Sequence, residues 1–343
     1  MKWLLGLVLV IAVIIGALYG VGRFLLLNDL AVTRSIVIER PRASVFAMVN
    51  DLRIVKEWSP YYALDPDADY SFSGEDAGPG QTMRWSSNVR QVGDGRMSIV
   101  RASENREVET ILELGDRATL NTRLTLTPSE TATSVAWSVT ATCGGGAINV
   151  PCRYMNLIVA RMIARDLDNG LARLKTLTEQ LPDVDFEGLN PVFENIEPQA
   201  YVYSPVTTSN QDPEQVEEAL SIGVAQVDDF MTRFELTRAG PQMRVTTEWN
   251  AAEQRMSFRV GFPFSGPTPL TVVGVQIGET PSGRALRVLH EGPRSEIRDT
   301  YAKTYAYLQA HRIAVREDGL PWEVVLDGGS ARIARVEIFV PLE

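Results

Sequence analysis

Few residues in this chain could do conventional chemistry, and their scarcity constrains the reading. The 343 residues include two histidines, His290 and His311, and two cysteines, Cys143 and Cys152. Structural zinc takes four ligands drawn mostly from those two residue types, so a multi-histidine zinc site is excluded. Two cysteines also permit neither a disulfide framework nor a CxxC metal pattern. They flank GGGAINVP. Either they close a small loop in an oxidising compartment, or they remain as two thiols. The Gly144-Gly145-Gly146 run lacks the Lys-Ser/Thr that follows a phosphate-binding loop and reads as a flexible lead-in to a helix. No carboxylate pair and no nucleophile–base set stands out before the last third of the chain. No cofactor and no metal are expected.

Bulk composition narrows the partners. A net charge of −10 argues against nucleic acid, whose backbone requires a basic face, and against membrane attachment by charge alone. Hydrophobic content of 45% with charged content of 22% is that of a globular chain, not a disordered one. The length suffices for two domains of ordinary size.

Those domains come after one long apolar stretch. Trp3 to Gly22, WLLGLVLVIAVIIGALYGVG, carries no charged side chain, and about 20 apolar residues are what a ~30 Å hydrocarbon core requires of a helix. Lys2 would also suit the start of a signal peptide. The run exceeds the usual ~7–15 apolar residues of such a peptide, however, and no clear small-x-small cleavage site ends it. Residues 1–28 therefore read as an uncleaved transmembrane anchor. Its orientation stays open: Arg23, Arg34, Arg40 and Arg42 would hold the rest of the chain in the cytoplasm by the positive-inside rule, yet many N-terminal anchors export the domains behind them.

Residues 29–181 form the first predicted domain. Thr33 to Glu39 reads as a strand. Pro41 suits the first turn of a helix, PRASVFAMVNDL, because its missing N–H costs nothing there. Gly78-Pro79-Gly80 and Gly93-Asp94-Gly95 then punctuate period-two patterns. Val108, Thr110, Leu112 and Leu114 share a face opposite Glu107, Glu109 and Glu113. Leu120, Leu124 and Leu126 oppose Asn121 and Arg123, while Val135, Trp137 and Val139 oppose Ser134 and Ser138. Such alternation predicts an antiparallel sheet with one wet face. Tyr154 to Leu181 carries Val159, Ile163, Leu167, Leu171, Leu174 and Leu181 at helical spacing; at 1.5 Å per residue it would span about 40 Å, enough to cross a sheet.

That order of elements is a helix-grip layout and resembles the START-like, Bet v 1-like superfamily labelled SRPBCC or polyketide cyclase-like, in its membrane-tethered bacterial branch. The stretches IVIERPRASVFAMVNDLRIVKEWSP, DADYSFSGEDAGPGQTMRWSS and DLDNGLARLKTL carry the resemblance. It implies a deep apolar cavity between sheet and helix that holds a lipid-like or polycyclic ligand. Trp85 and Trp137 are candidate cavity walls, with plain core packing as the alternative for each.

Residues 182–194 read as a linker, part of a proline-rich, acidic stretch from Leu181 to Pro198 without helical or strand period. Residues 195–343 then read as a repeated β-α-β-β unit. The first copy runs from a strand at Ala200 to Val206 into a helix capped by Asp212 with Pro213 at its first position. Two strands come next, with Met243, Val245, Thr247 and Trp249 on one face of the first and Met256, Phe258, Val260 and Phe262 on one face of the second. The second copy is the strand ALRVLHEG, a helix with Ile297, Tyr301, Tyr305 and Leu308 on one side, and the strands WEVVLD and ARVEIFVPL joined by a Gly328-Gly329 turn. Two sheets side by side with a groove between the helices would result.

HEGPRSEI, PWEVVLD and VEIFVPL resemble the GyrI-like, AraC effector-binding domain. The resemblance implies that Glu323, on the strand PWEVVL, sits at the centre of an aromatic pocket that attracts lipophilic cations. Alternation sends Glu323 and Val325 one way and Trp322, Val324 and Leu326 the other; Val325 stands where the family often has an aromatic. A buried carboxylate is costly unless neutralised, and a ring-flanked cation supplies Coulomb and cation–π attraction. Tyr301, Tyr305 and Trp249 are the aromatic candidates, each with a core role as its alternative, and Glu323 as a solvated strand residue is the bland reading. His290 reads as a turn-anchoring hydrogen-bonder.

The fold class expected is thus α+β: an N-terminal transmembrane helix, a helix-grip domain, then the duplicated GyrI-like domain. A DNA-binding helix-turn-helix, the usual companion of the effector module, has no place left in the chain. The function expected is a membrane-tethered binding protein for a lipophilic small molecule, cationic ones included, without nucleic acid. The alternative is an enzyme of cyclase or hydrolase type with Glu323 as base and a nearby tyrosine as proton donor.

Overall fold

A computed structural model describes residues 2–115, 118–143, 149–209, 212–250, 252–268, 273–317, 319–326 and 334–343. The Gly144–Gly146 run and the Gly328-Gly329 turn lie outside the described residues. The chain forms two compact units, Met1–Glu187 and Gly188–Glu343.

The first unit opens with helix α1, Lys2–Phe24, within which Gly6–Phe24 is long and apolar enough to cross a membrane, a test a signal sequence also passes. Strand β1, Asp29–Ile38, comes next. The single helix expected at PRASVFAMVNDL is two, α2 (Arg42–Val49) and α3 (Leu52–Trp58). Asp51 divides them, because its side chain accepts from the Arg53 N–H at 2.8 Å and caps α3. Pro41 stands just before α2 in extended geometry rather than inside its first turn. Ser59 in turn caps the short α4, Pro60–Leu64.

Six strands then complete an antiparallel sheet: β2 (Asp69–Ser73), β3 (Thr82–Ser86), β4 (Gly95–Ser103), β5 (Glu107–Glu113), β6 (Thr119–Ser129) and β7 (Ala132–Thr142). Their order is β1-β7-β6-β5-β4-β3-β2. Burial alternates along β5 and through all but the last three residues of β6 and β7, with Val108, Leu112, Leu124, Val135 and Trp137 inside. Helix α5, Val150–Thr178, lies across that face and buries Leu167, Leu171 and Leu174. A disulfide between Cys143 and Cys152 settles the two-thiol alternative and ties the end of β7 to the first turn of α5. Gly170 allows the close seat of α5, since a Cβ there would lie 2.7 Å from the Trp137 ring.

The second unit is built on one sheet. Part of the stretch read as structureless is a strand, β8 (Val192–Ile196). Then come β9 (Ala200–Ser209), α6 (Pro213–Arg233), β10 (Thr237–Arg238), β11 (Gln242–Asn250), β12 (Arg255–Ser265), β13 (Gln276–Glu279), β14 (Gly283–Gly292), a 3-10 turn at Arg294–Glu296, α7 (Ile297–Ala310), β15 (Trp322–Val325) and β16 (Ala334–Pro341). Asp212 caps α6 as its position predicts, accepting from Glu214 N–H at 2.9 Å. The strand order is β13-β9-β12-β11-β15-β16-β14-β8. Where two sheets side by side were expected, β11 and β15 pair and make one.

One irregularity changes the predicted faces. The β11–β12 register shifts between Thr246 and Glu248, so Thr247 is an extra residue in the ladder. A bulge re-aims every side chain beyond it. Met243 and Val245 point to one face, and Trp249, paired with Met256, points to the other.

Candidate functional site

In the first unit a mostly apolar cavity of about 40 Å³ lies between α5 and the sheet. It is far smaller than a deep lipid cavity, for roughly 10–15 Å³ already admits one water. Trp137 and Trp58 both line it. Their rings meet edge to face at 5.3 Å and occupy the space beneath α5. Trp58 is fixed by its indole N–H, which donates to the Met48 carbonyl at 2.9 Å.

The lining is not wholly apolar. Thr110 and Thr122, opposite each other on β5 and β6, share a hydrogen bond of 2.9 Å, and the Trp137 indole donates to Thr122 at 3.4 Å. Asp166 on α5 also lines the cavity; burial pushes its carboxyl up from the usual range, with Arg165 opposing. Trp85 is not among the lining residues. It stacks on Tyr61, which is one of them, and its ring packs over Gly95. Trp85 therefore backs the wall rather than forming it.

In the second unit Glu323 is buried, not a solvated strand residue. Register sets Arg244 on β11 directly across from it on β15, and the guanidinium hydrogen-bonds the carboxylate with side-chain exposures of only 16% and 6%. The Tyr301 hydroxyl on α7 donates to the same carboxylate oxygen at 3.0 Å. The Arg244 guanidinium also stands 5.8 Å from the Phe258 ring centroid. The ring-flanked cation expected of a ligand is thus supplied by the protein.

Electrostatics keep all three groups in place. Burial is the largest single influence on Arg244 and acts to lower its pKa, but the Glu323 charge and hydrogen bond, with Tyr301 and Glu217 behind them, together outweigh it, so the guanidinium stays protonated. Burial first, and then the Glu323 charge, push the Tyr301 phenol well above its ordinary value, so its proton stays on oxygen as the donor. Glu217 on α6, whose charge also reaches Arg244, pairs with Arg294 at 2.6 Å and links α6 to the turn ahead of α7.

The other aromatic candidates are not hydrogen-bonded into this triad, although Tyr305 lies near enough to Tyr301 to push its phenol up a little further. Tyr305 is 39% exposed and lies beside the buried stripe of α7, which Thr304 and Leu308 carry instead. Trp249 shares the face of Arg244 because of the bulge, but it is 57% exposed and about 17 Å further along the strand at ~3.4 Å per residue. His290 anchors the turn. Its Nε2 meets the Pro293 carbonyl at 3.2 Å and so carries the proton, leaving Nδ1 to accept from Thr300 at 2.8 Å. Among the described residues no His/Cys/Asp/Glu group is arranged to hold a metal.

Solved structures similar to parts of the chain include a protein from Chromobacterium violaceum, 13% identical over 45% of this chain and 99% of that one, with a TM-score of 0.33. The EcmrR C-terminal domain is 15% identical over 46% of this chain and 98% of its own, at 0.39. EcmrR in its complex with DNA is 14% identical over 58% and 73%, at 0.40. No curated protein matches the sequence. Residues 29–179 match the family described as polyketide cyclase / dehydrase and lipid transport, a match that supports a polyketide cyclase-like, SRPBCC-type domain in this part of the chain.

Proposed function

We propose that this chain is a membrane-tethered binding protein for a lipophilic small molecule, which it senses, sequesters or delivers. The observation that carries the proposal is the apolar cavity under α5, with its Thr110–Thr122 and Asp166 polar points, in a domain matching a lipid-transport family. A mostly apolar chamber with a few placed polar groups is what a small-molecule site requires. Trp58 and Trp137 both line the cavity, so a ligand larger than it enters only as side chains such as these move.

The strand orders β9-β12-β11 and β14-β16-β15 mirror each other about the β11–β15 pair, which supports a duplicated, GyrI-like second domain spanning residues 195–343. Its ligand site would centre on Glu323, Arg244 and Tyr301. The enzymatic alternative needs Glu323 as a free base. A carboxylate already held by a guanidinium and a phenol favours binding instead.

The orientation rests on the disulfide. Such bonds persist in oxidising compartments, which supports the globular part lying outside the cytoplasm. The arginines behind α1 are a weak counter-argument, because they belong to the fold. Arg34 pairs with Asp168 and Arg42 with Glu187, while Arg40 donates to the Leu181 and Glu179 carbonyls.

The test is to purify the full chain in mild detergent, extract the small molecules that travel with it, and identify them by mass spectrometry. A lipophilic compound recovered unchanged, whose re-addition quenches tryptophan fluorescence saturably, supports the proposal. Recovery of a chemically altered compound after re-addition would move the reading to an enzyme. Absence of any binding would end it.

A further inference from the structure

Helix α5 carries an apolar face that the fold does not use. Pro151, Met155, Ile158 and Met162 succeed one another at spacings of four, three and four on its solvent side, and Leu157 stands beside them. Met155, Leu157, Ile158 and Met162 are each more than half exposed. The same line continues as Arg165, Asn169, Ala172 and Thr176, also exposed. A helix on a water-facing surface keeps its outer stripe polar along its whole length. Here the outer stripe is apolar for its first half and changes at Met162.

That apolar half touches α1. The Tyr154 hydroxyl donates to the Leu18 carbonyl at 2.6 Å, and Arg153 donates to the carbonyls of Gly22, Arg23 and Leu26 beyond it. Gly22 makes the approach possible, since a Cβ there would collide with Val150 and Tyr154. Leu18 lies six residues inside the end of α1, about 9 Å along its axis. Interfacial helices bury their apolar side to a depth of about 5–10 Å. Phe24, Leu25 and Leu27, exposed around the same contact, extend the patch.

We propose that the first half of α5, Pro151 to Met162, lies in the bilayer interface beside α1. This rests on the reading that α1 crosses a membrane. The partner is lipid rather than protein because the patch is continuous with α1, the one helix among the described residues long and apolar enough to cross a membrane. Arg161 and Arg165, exposed at the changeover, then stand at headgroup level, where long basic side chains reach phosphate while their stems stay in the apolar layer. One consequence concerns ligand supply. Ile163, Asp166 and Leu167, which line the cavity, begin one residue past Met162, so the binding chamber would lie next to the membrane in which a lipophilic ligand is dissolved.

The test uses the full chain in vesicles of phosphatidylcholine and phosphatidylglycerol. The native cysteines are joined, so an environment-sensitive fluorophore can be placed on Leu9→Cys, Ile158→Cys, Met162→Cys or Thr176→Cys, one at a time. Quenching by a nitroxide-bearing lipid is compared with quenching by aqueous iodide. Expected is strong lipid-borne quenching at positions 9, 158 and 162 with iodide quenching several-fold weaker than at position 176. Iodide reaching positions 158 and 162 as freely as position 176 would overturn the proposal while position 9 still reports the anchor. Shielding from both quenchers at 158 and 162 would mean a second protein surface covers them and would equally overturn it. Position 9 open to iodide would instead defeat the membrane-spanning reading of α1 on which the proposal stands.

Discussion

Arg244 and Glu323 face each other across β11 and β15, guanidinium against carboxylate, at the centre of the second unit's sheet. The pair is neutral as a whole, and Tyr301 adds a donor to the carboxylate. A lipophilic cation arriving at Glu323 would have to displace Arg244 and leave a permanently charged guanidinium buried without its partner. The unmodified protein is therefore expected not to bind such cations here.

The first prediction comes from breaking that pair. Arg244→Met keeps the bulk and removes the charge. Removing one partner of a buried ion pair costs about 3–5 kcal/mol, which chemical denaturation will read. The same variant is expected to gain saturable binding of tetraphenylphosphonium, because Glu323 then lacks a cation. The double variant Arg244→Met/Glu323→Gln should lose that binding again. Binding of the probe by the unmodified protein, abolished by Glu323→Gln alone, would show that Arg244 does not block the site.

Gly170 gives a second prediction. An alanine methyl there would sit 2.7 Å from the Trp137 ring and 3.4 Å from the Pro60 ring. The indole can yield only toward the cavity, where Trp58 already stands. Overpacking of this kind costs about 1–3 kcal/mol. Gly170→Ala should lower the unfolding midpoint, shift the tryptophan emission, and weaken whatever ligand the cavity accepts. An unchanged emission spectrum with full ligand affinity would mean that α5 moves away instead.

How far the sequence carried can be judged from particular residues. Alternation placed Val108, Leu124 and Val135 inside correctly, because a sheet wet on one face enforces period two. The stripe of α5 and the Asp212 cap were legible for the same local reason. Arg244 was not singled out, since its partnership depends on the register of two strands almost eighty positions apart. That information is long-range, and a polar residue within the Gln242–Asn250 strand was its only trace. Trp249 was put on the wrong face because the bulge at Thr247 breaks the period without any glycine to announce it. The size of the cavity was beyond reach as well, for it depends on how the Trp58 and Trp137 rotamers meet. Nothing in the sequence separates Asp166 from Asp168, its exposed neighbour on the same helix.

Asp166 supplies a pH dependence. Burial holds its carboxyl above the ordinary range in the folded protein, so the folded state binds the proton more tightly than the unfolded chain. Stability then falls as pH rises from the ordinary carboxylate range through the folded value, and the penalty is complete above it. Asp166→Asn removes this dependence. The variant should unfold at a higher temperature than the parent at neutral pH, and the difference should shrink as pH is lowered below the unfolded pKa. Equal midpoints at both extremes would show that Asp166 is as well solvated folded as unfolded.

The disulfide gives the last prediction, and it tests fold and compartment together. Cys143 and Cys152 are nine residues apart in sequence, and closing a loop of that size removes roughly 2.6 kcal/mol of unfolded-state entropy. The bond also fixes where α5 begins, beside the Cys143 N–H that donates to the Asn28 carbonyl at 3.1 Å and so joins the end of β7 to the chain between α1 and β1. Cys143→Ser/Cys152→Ser should lower the unfolding midpoint by an amount that reductant reproduces in the parent. It should also loosen the start of α5 first, seen as faster amide exchange at Tyr154 to Met162 than at Leu167 to Leu174. In cells, the parent chain should resist thiol alkylation until it is reduced, as expected of a domain outside the cytoplasm. Full alkylation without reductant would place the thiols in a reducing compartment and reverse the proposed orientation.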